Sequence, residues 1–547
     1  MLYALSSQSK RWKLEMYTES YAKGPDQPAV RDMTIGDMLR EAALECPDRI
    51  ALIAGTVDPS QRREWTYSQL LQESITVAKA LTTKFKQGEH VAIMAPNIPE
   101  WVLIEFGAAM AGLVLVTVNP SYQLEEIEYV LKQSKSVGVF ALPEFRGNQM
   151  LNSVKQASAE LERVREVISI ADWAEFIALG DDPAIQLPDV HPDDPCMIQY
   201  TSGTTGFPKG ALLHHKGLVN NAAHVQTIVE AAPGSMHLTM VPLFHTSGCV
   251  LGTLGPVANR NTHVLLELFV PAVALELIET YAIDVSGGVP TMLVALMEHP
   301  DFETRDLSSL KFFSGGGAPV APEIATLFEQ KIGLVFVSMF GLTECSPVVT
   351  LSSPEDNVHD KANTIGRALP NVELKIIDTE TGETLPVNAT GEFCARGYNI
   401  MHGYYDMPEA TAETIDADGW LRTGDLCSMD ERGYVTVEGR LKDMIIRGGE
   451  NVYPREIENT LFEHPAISEV AIVGLPDKLM GEVIGAFIRL AAGQSVDQKE
   501  LFAYLRERLS PQKTPNLWYF VEEFPLTGSG KIQKFELRKM WEAGKFS

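Results

Sequence analysis

The sequence predicts an α/β protein: a large N-terminal domain of parallel sheets with helices plus a small β-barrel, then a small α+β C-terminal domain on a hinge. Three observations predict it. Short apolar runs alternate with helical stretches through the first two-thirds of the chain, the rhythm of parallel sheets covered by helices. From about residue 360 the texture changes to short runs separated by turns. A compact mixture of helix and strand patterns then follows GRLKD (439–443), and 547 residues call for about three to four core-sized units.

The elements follow in order. TYSQLLQESITVAKAL (66–81) opens with Thr66 and Gln69 in capping-box spacing, and Leu70, Leu71, Ile75, Ala78 and Leu81 form one helical stripe. HVAIMAPN (90–97) is a strand ending in turn residues, and FGAAMAGLVLVTV (106–118) is a buried helix running into a strand. SVGVFAL (136–142), HLTMVPLF (237–244), THVLLELF (262–269) and LVFVSMFG (334–341) are further strands. VELKIID and GEFCARG belong to the small antiparallel barrel. Beyond 443, PREIENTLFEHP and QKELFAYLRERL are helices, and SEVAIVG and GAFIRL are strands. This places a boundary at 440–443: residues 1–440 hold two α/β subdomains and the barrel, and residues 441–547 form a mobile domain with its hinge near Lys442.

Composition excludes several classes. A formal net charge of −27 argues against a general nucleic-acid surface and against anionic membranes. The longest apolar stretch has 13 residues, where a spanning helix needs about 20. MLYALSSQSKRWKLEMYTES has no uninterrupted apolar core for a secretory signal and carries Glu15 and Glu19 against a transit peptide. The six cysteines show no metal-ligand or CxxC spacing and read as reduced thiols, so the expected location is cytoplasmic. The twelve histidines form no zinc signature.

YTSGTTGFPKG (200–210) carries the clearest chemistry. Glycines let the backbone approach a ligand closely, successive N–H groups in such a turn make an anion concavity, and the hydroxyls add donors. Lys209 supplies a compact positive charge suited to phosphate. The stretch reads as a polyphosphate loop, although not a Walker A loop, because Pro208 precedes Lys209 and Gly210 follows it. The alternative is a flexible linker, which sits poorly after the buried-looking CMIQY (196–200).

Other motifs have two readings each. In SMFGLTECS (338–346), Phe340 suits a purine stack, Thr343 a phosphate, and Glu344 a Mg²⁺ ion; a buried aromatic beside a capping Thr-Glu fits equally. Asp425, in GWLRTGD, suits ribose hydroxyls or an ordinary turn. Arg440 suits ribose, phosphate or an interdomain salt bridge. SGGGAP (314–319) offers bare backbone to a flat ring, or is a turn. Lys531, in PLTGSGKIQK, sits on a turn shaped to project a side chain into another domain. His245, in PLFHTSG, has no visible partner cluster and reads as a pocket-lining or gating aromatic.

In this order, over nearly the whole chain, the motifs resemble the ANL adenylate-forming superfamily, and within it the medium- and long-chain acyl-CoA synthetases. IIRGGENVYPREIE (445–458) is similar to their signature after the hinge. The resemblance implies two half-reactions: ATP and a carboxylic acid give acyl-AMP and pyrophosphate, then coenzyme A takes the acyl group and AMP leaves. It implies that Thr201, Ser202, Gly203, Thr204, Thr205, Gly206, Phe207, Pro208, Lys209 and Gly210 hold the β- and γ-phosphates. Gly315, Gly316, Gly317, Ala318 and Pro319 would line the adenine site, with Phe340 and Gly341 at the base. Thr343 would contact the α-phosphate, Glu344 would bind Mg²⁺, and Asp425 and Arg440 would hold ribose. Lys531 would act at the α-phosphate, beside His245 in the catalytic set, and Gly448 and Gly449 would line the pantetheine path. Phe340 replaces a Tyr common in relatives, and LTGSG replaces RTPSG. An acyl-AMP ligase loading a carrier protein and an aryl-acid:CoA ligase are the alternatives. Small residues at Gly248, Gly287, Gly288, Gly315 and Gly316 are expected to leave room for an apolar acyl chain. The expected partners are small molecules, with no nucleic acid, and a homodimer is left open.

Overall fold

The computed structural model describes residues 16–201, 208–229, 231–316, 322–447, 450–527 and 531–546. Three sheets occupy the chain as far as Arg440. In the first, parallel strands His90–Met94, Val114–Thr117, Gly138–Ala141, Glu166–Ser169 and Pro195–Thr201 are joined at one edge by antiparallel Lys209–His214 and Gly403–Tyr404. The second has nine strands. Its parallel middle comprises Ile50–Gly55, Thr262–Leu266, Met236–Thr239, Val285–Gly288, Phe312–Gly315 and Val335–Gly341. Helices lie between the strands, as the alternating texture predicts. The capping box at Thr66 and Gln69 starts the helix Tyr67–Lys84, which buries Leu70, Ala78 and Leu81 and leaves Leu71 and Ile75 only partly covered.

The expected small barrel takes the form of a five-stranded antiparallel sheet, in the order Tyr21–Lys23, Val372–Ile377, Gly391–Gly397, Leu421–Met429 and Val435–Arg440. Among the described residues no pairing closes it. One edge strand comes from the start of the chain: Tyr21 pairs with Lys375, a contact that local sequence texture does not announce. From Ile445 onward a separate sheet is built from Glu450–Val452, Ile445–Arg447, Gly481–Leu490 and Ile467–Asp477, with Leu517–Phe520 paired in parallel with Gly481–Leu490. It packs on its own apolar clusters, around Ile457, Leu461 and Ile472 on one face and Phe487 and Leu537 on the other. Lys442 lies between these parts in a turn, where Leu441 N–H donates to the Gly424 carbonyl and Asp443 N–H to that of Arg440.

Candidate active site

The phosphate-loop motif is anchored at both ends. Thr201 closes one strand and pairs in register with Lys209, which opens the next. The Thr201 hydroxyl donates to the Lys209 carbonyl at 3.4 Å, and the Tyr129 hydroxyl donates to that of Pro208 at 2.8 Å. Ser202, Gly203, Thr204, Thr205, Gly206 and Phe207 lie outside the described residues, as do Gly317, Ala318, Pro319, Gly448 and Gly449.

The strand Val335–Gly341 ends in a 3₁₀ turn, Thr343–Cys345, that sets Glu344 into a buried position. Gly341 is needed there because a Cβ would fall 2.2 Å from the Pro347 carbonyl oxygen. Phe340 lies beside Phe393, ring centroids 5.6 Å apart. Phe393 in turn neighbours Asp425, since the Thr423 hydroxyl donates to the Phe393 carbonyl at 2.8 Å and lies 3.1 Å from the Asp425 N–H that donates to it.

Asp425 and Arg440 face each other in register across a hairpin. Arg440 Nε donates to Asp425 Oδ1 at 3.0 Å, while Oδ2 is buried without a partner. Burial pushes the Asp425 carboxyl up, against the lowering charges of Arg440, Lys531 and Arg455. Asp425 is thus a strand residue and not a turn residue, its ion pair with Arg440 lies within one hairpin and not between domains, and one carboxylate oxygen remains for a donor such as a ribose hydroxyl.

Lys531 arrives from the C-terminal sheet. Its turn is closed by Thr527 N–H donating to the Lys531 carbonyl at 2.7 Å and Lys531 N–H donating to the Thr527 hydroxyl at 3.0 Å. The ammonium lies within electrostatic reach of Arg440, Asp425 and Glu344, and desolvation first, then Arg440, lower its pKa to about 8. His245 is in the same neighbourhood: desolvation, then the Lys531 charge, lower its pKa to about 4, so the ring is neutral at pH 7. Its ring lies 4.4 Å from that of Phe244, tilted by 43°. Lys531, Asp425, Arg440, Glu344 and His245, spread over nearly 300 residues of sequence, thus share one site.

Several functional neighbours were not read from the sequence. Asn97 is buried and crosslinks the His245 loop: its amide donates to the Val241 and Leu266 carbonyls, both at 3.0 Å, and accepts from Leu243 N–H at 2.8 Å. The Thr117 hydroxyl donates to the Phe244 carbonyl at 2.9 Å. The APN turn after the strand was the available signal for Asn97. Arg455, in the first turn of the helix Pro454–Phe462, carries a desolvated guanidinium whose Nε has no partner and whose charge reaches Asp425. Tyr404 donates to Glu344 Oε1 at 2.7 Å.

Three of the five glycines expected to open an acyl pocket are used differently. A Cβ at Gly248 would meet the Pro242 carbonyl oxygen at 2.1 Å, at Gly287 the Ser314 hydroxyl at 2.2 Å, and at Gly316 the Met339 side chain at 2.7 Å. They permit close packing around the site and do not themselves make room.

A family model described as AMP-binding enzyme matches residues 39–405, and one described as AMP-binding enzyme C-terminal domain matches residues 456–531. The mitochondrial medium-chain acyl-CoA ligase of Rattus norvegicus is 37% identical, over 96% of this chain and 90% of its own. Among solved structures, ATP-bound MatB from Rhodopseudomonas palustris gives a TM-score of 0.84 at 28% identity, covering 93% of this chain and 99% of that one. Its apo form gives 0.75 over the same coverage. The anthranilate CoA ligase AuaEII in complex with anthranoyl-AMP gives 0.85 at 26% identity, over 94% of this chain and 98% of that one. Two family models matched in chain order over most of the chain, with Lys531 at the end of the second in electrostatic reach of Glu344 inside the first, identify this chain as a member of the AMP-binding enzyme family, the adenylate-forming superfamily.

Proposed function

We propose that this protein is an AMP-forming acid–CoA ligase whose preferred substrates are medium- to long-chain apolar acids. The observation that carries it is Lys531, held with His245, Glu344, Asp425 and Arg440 in one site although it belongs to the C-terminal sheet. In the first half-reaction a carboxylate oxygen attacks the α-phosphorus of ATP, a C(O)–O–P bond forms, and pyrophosphate leaves. The group most in need of stabilisation is the charge developing on the α-phosphoryl oxygens, and a preorganised ammonium there acts in a low-dielectric site. At pH 7 a lysine with a pKa of about 8 is mostly protonated and fills that role. In the second, the thiol of coenzyme A attacks the acyl carbonyl and AMP leaves with the bonding pair. No enzyme nucleophile is required, so positioning and charge neutralisation supply the catalysis.

Asp425 Oδ2 is free to accept from a ribose hydroxyl, and Phe340, a ring without the hydroxyl of Tyr, supplies a stacking face. Among the described residues no cluster of three His, Cys, Asp or Glu could hold a metal. Mg²⁺ is commonly bound by one or two carboxylates together with substrate phosphates. Glu344, a single carboxylate near the ammonium of Lys531, fits an ion that arrives with ATP and neutralises phosphate charge. The separate core and sheet beyond Ile445 support a C-terminal domain that moves about Lys442, and the higher TM-score against ATP-bound than against apo MatB supports reading this arrangement as the adenylating one. All six cysteines are free thiols, which supports a reducing, cytoplasmic setting.

The likeness to a medium-chain ligase carries the choice of acid, and the likeness to a ligase holding anthranoyl-AMP carries aryl acids as the second reading. Coenzyme A-dependent AMP release with straight-chain, branched and aromatic acids tests both. Each buried CH₂ contributes about 0.8 kcal/mol, so four methylenes beyond a short acid raise kcat/KM over roughly a hundredfold. A profile flat from acetate to decanoate refutes the aliphatic reading, and one that peaks at benzoates selects the aryl alternative.

A further inference from the structure

Tyr404 is the least expected member of the site. It lies on the two-residue strand Gly403–Tyr404, which pairs with Lys209–His214 at the edge of the first sheet. Tyr404 is opposite Ala211, and Tyr405 N–H donates to the Gly210 carbonyl at 2.8 Å, so the strand is stitched to the segment that begins at Lys209. Its backbone is fixed from the other side as well: Tyr404 N–H donates to the Thr411 hydroxyl at 2.9 Å. Gly403 has φ +140°, and a Cβ there would strike the Thr411 side chain at 2.7 Å. The ring is thus held by a backbone with little freedom.

Two charged groups meet that ring at different places. The hydroxyl donates to Glu344 Oε1 at 2.7 Å, in a buried bond between residues 60 apart in sequence. Lys209 Nζ lies 4.8 Å from the ring centroid, where an ammonium is attracted to the negative π face. The ring's own dimensions keep these two apart while orienting both.

We propose that Tyr404 is a positioning residue for adenylation: its hydroxyl aims Glu344 for the divalent cation while its ring face holds Lys209 for the phosphates. The inference rests on the proposed ligase function for its kinetic readout. Tyr404→Phe keeps the ring and removes only the hydroxyl. It should raise the half-saturating free Mg²⁺ concentration in ATP–pyrophosphate exchange roughly tenfold to a hundredfold, the effect of losing one hydrogen bond to a charged group. The KM for the acid should stay within twofold, and thioester formation from supplied acyl-AMP and coenzyme A should be unchanged. Tyr404→Leu removes the ring face too and should add a rise in the KM for ATP. In a Glu344→Gln background Tyr404→Phe should have no further effect on metal dependence, because the hydroxyl acts through the carboxylate. Lys209→Met, which leaves the hydroxyl bond in place, should raise the KM for ATP with unaltered Mg²⁺ dependence, and it tests the two arms without touching Tyr404. A readout independent of turnover is Mn²⁺ binding to the protein–ATP complex, followed by electron paramagnetic resonance, which Tyr404→Phe should weaken by the same factor. Normal Mn²⁺ affinity and Mg²⁺ dependence with a lowered Tm would make Tyr404 a packing residue and overturn the proposal. Equal loss in both half-reactions would overturn it as well. If the wild type exchanges no pyrophosphate with any acid, the ligase reading fails, and the Mn²⁺–ATP titration alone decides for or against Tyr404.

Discussion

Raising the pH should switch off one half-reaction and not the other. Lys531 has a pKa of about 8, lowered by desolvation and by Arg440 against the raising charges of Asp425 and Glu344. A base with a lowered pKa loses its proton early, so its charge is present below pH 8 and lost above it. At pH 9 about one-tenth of the molecules keep the Lys531 proton, against about nine-tenths at pH 7, so kcat/KM for ATP in pyrophosphate exchange should fall about tenfold between them; that parameter reports the free enzyme. Lys531→Arg has no proton to lose in this range and should flatten the alkaline limb at a lower absolute rate. Lys531→Ala removes the charge at every pH and should reduce adenylation by roughly a hundredfold to a thousandfold, the usual effect of deleting one preorganised donor. Thioester formation from synthetic acyl-AMP should change by no more than a few-fold in either variant. The reasoning is refuted if the limb persists in Lys531→Arg, if it lies near the ordinary lysine value, or if both half-reactions fall together.

Three other perturbations follow from the geometry. Asp425→Asn should raise the KM for ATP about tenfold, since Oδ2 is the atom left for the nucleotide, and shift Tm little because Arg440 is half exposed; a normal KM for ATP with a large loss of Tm would leave Asp425 a structural residue of its hairpin. Asn97→Ala deletes three hydrogen bonds under the His245 loop and should cost about 3 kcal/mol of stability while raising the KM for the acid more than that for ATP, read by denaturant titration and kinetics. His237 and His263 are buried, paired in register, and lowered by desolvation to about 4 and about 3, so the unfolded chain binds more protons and stability falls as pH drops below about 6.5. At pH 5 each ring should cost about 2 kcal/mol, and a Tm flat from pH 7 to pH 5 excludes this.

What could be read from the sequence was local. The turn carrying Glu344, the hairpin carrying Asp425 and the turn carrying Lys531 each compress a backbone requirement into a few residues, and their common site follows once strand ends converge; the glycine-rich stretch after Thr201 lies outside the described residues. What could not be read depends on partners far along the chain. Tyr404 has meaning only beside Glu344 and Lys209, and Asn97 only beside a loop 144 residues away. The pairing of Tyr21 with Lys375 joins the start of the chain to the third sheet for the same reason. Glycine misled in a further way. It announces that something comes close, but Gly248 is filled by the Pro242 carbonyl and not by a substrate, and the sequence does not distinguish backbone from ligand.

Four shifts at the site share a direction, while Arg440, paired with Asp425, is raised. Asp425 is pushed up, and Lys531, Arg455 and His245 are pushed down, so each is displaced toward its neutral form. For Lys531 the displacement from an ordinary 10.5 to about 8 corresponds to about 3 kcal/mol against inserting the charged side chain. Polyphosphate opposes that cost, because its negative charge favours the ammonium, and a ribose hydroxyl donating to Asp425 Oδ2 favours the carboxylate. The inserted arrangement is then stabilised by ATP in particular. When pyrophosphate leaves, most of the opposing charge leaves with it, and part of the cost returns while acyl-AMP is still bound. On the proposed two-step chemistry and the proposed domain movement, the desolvation that sharpens Lys531 for the first step is therefore also the force that favours its withdrawal before the second.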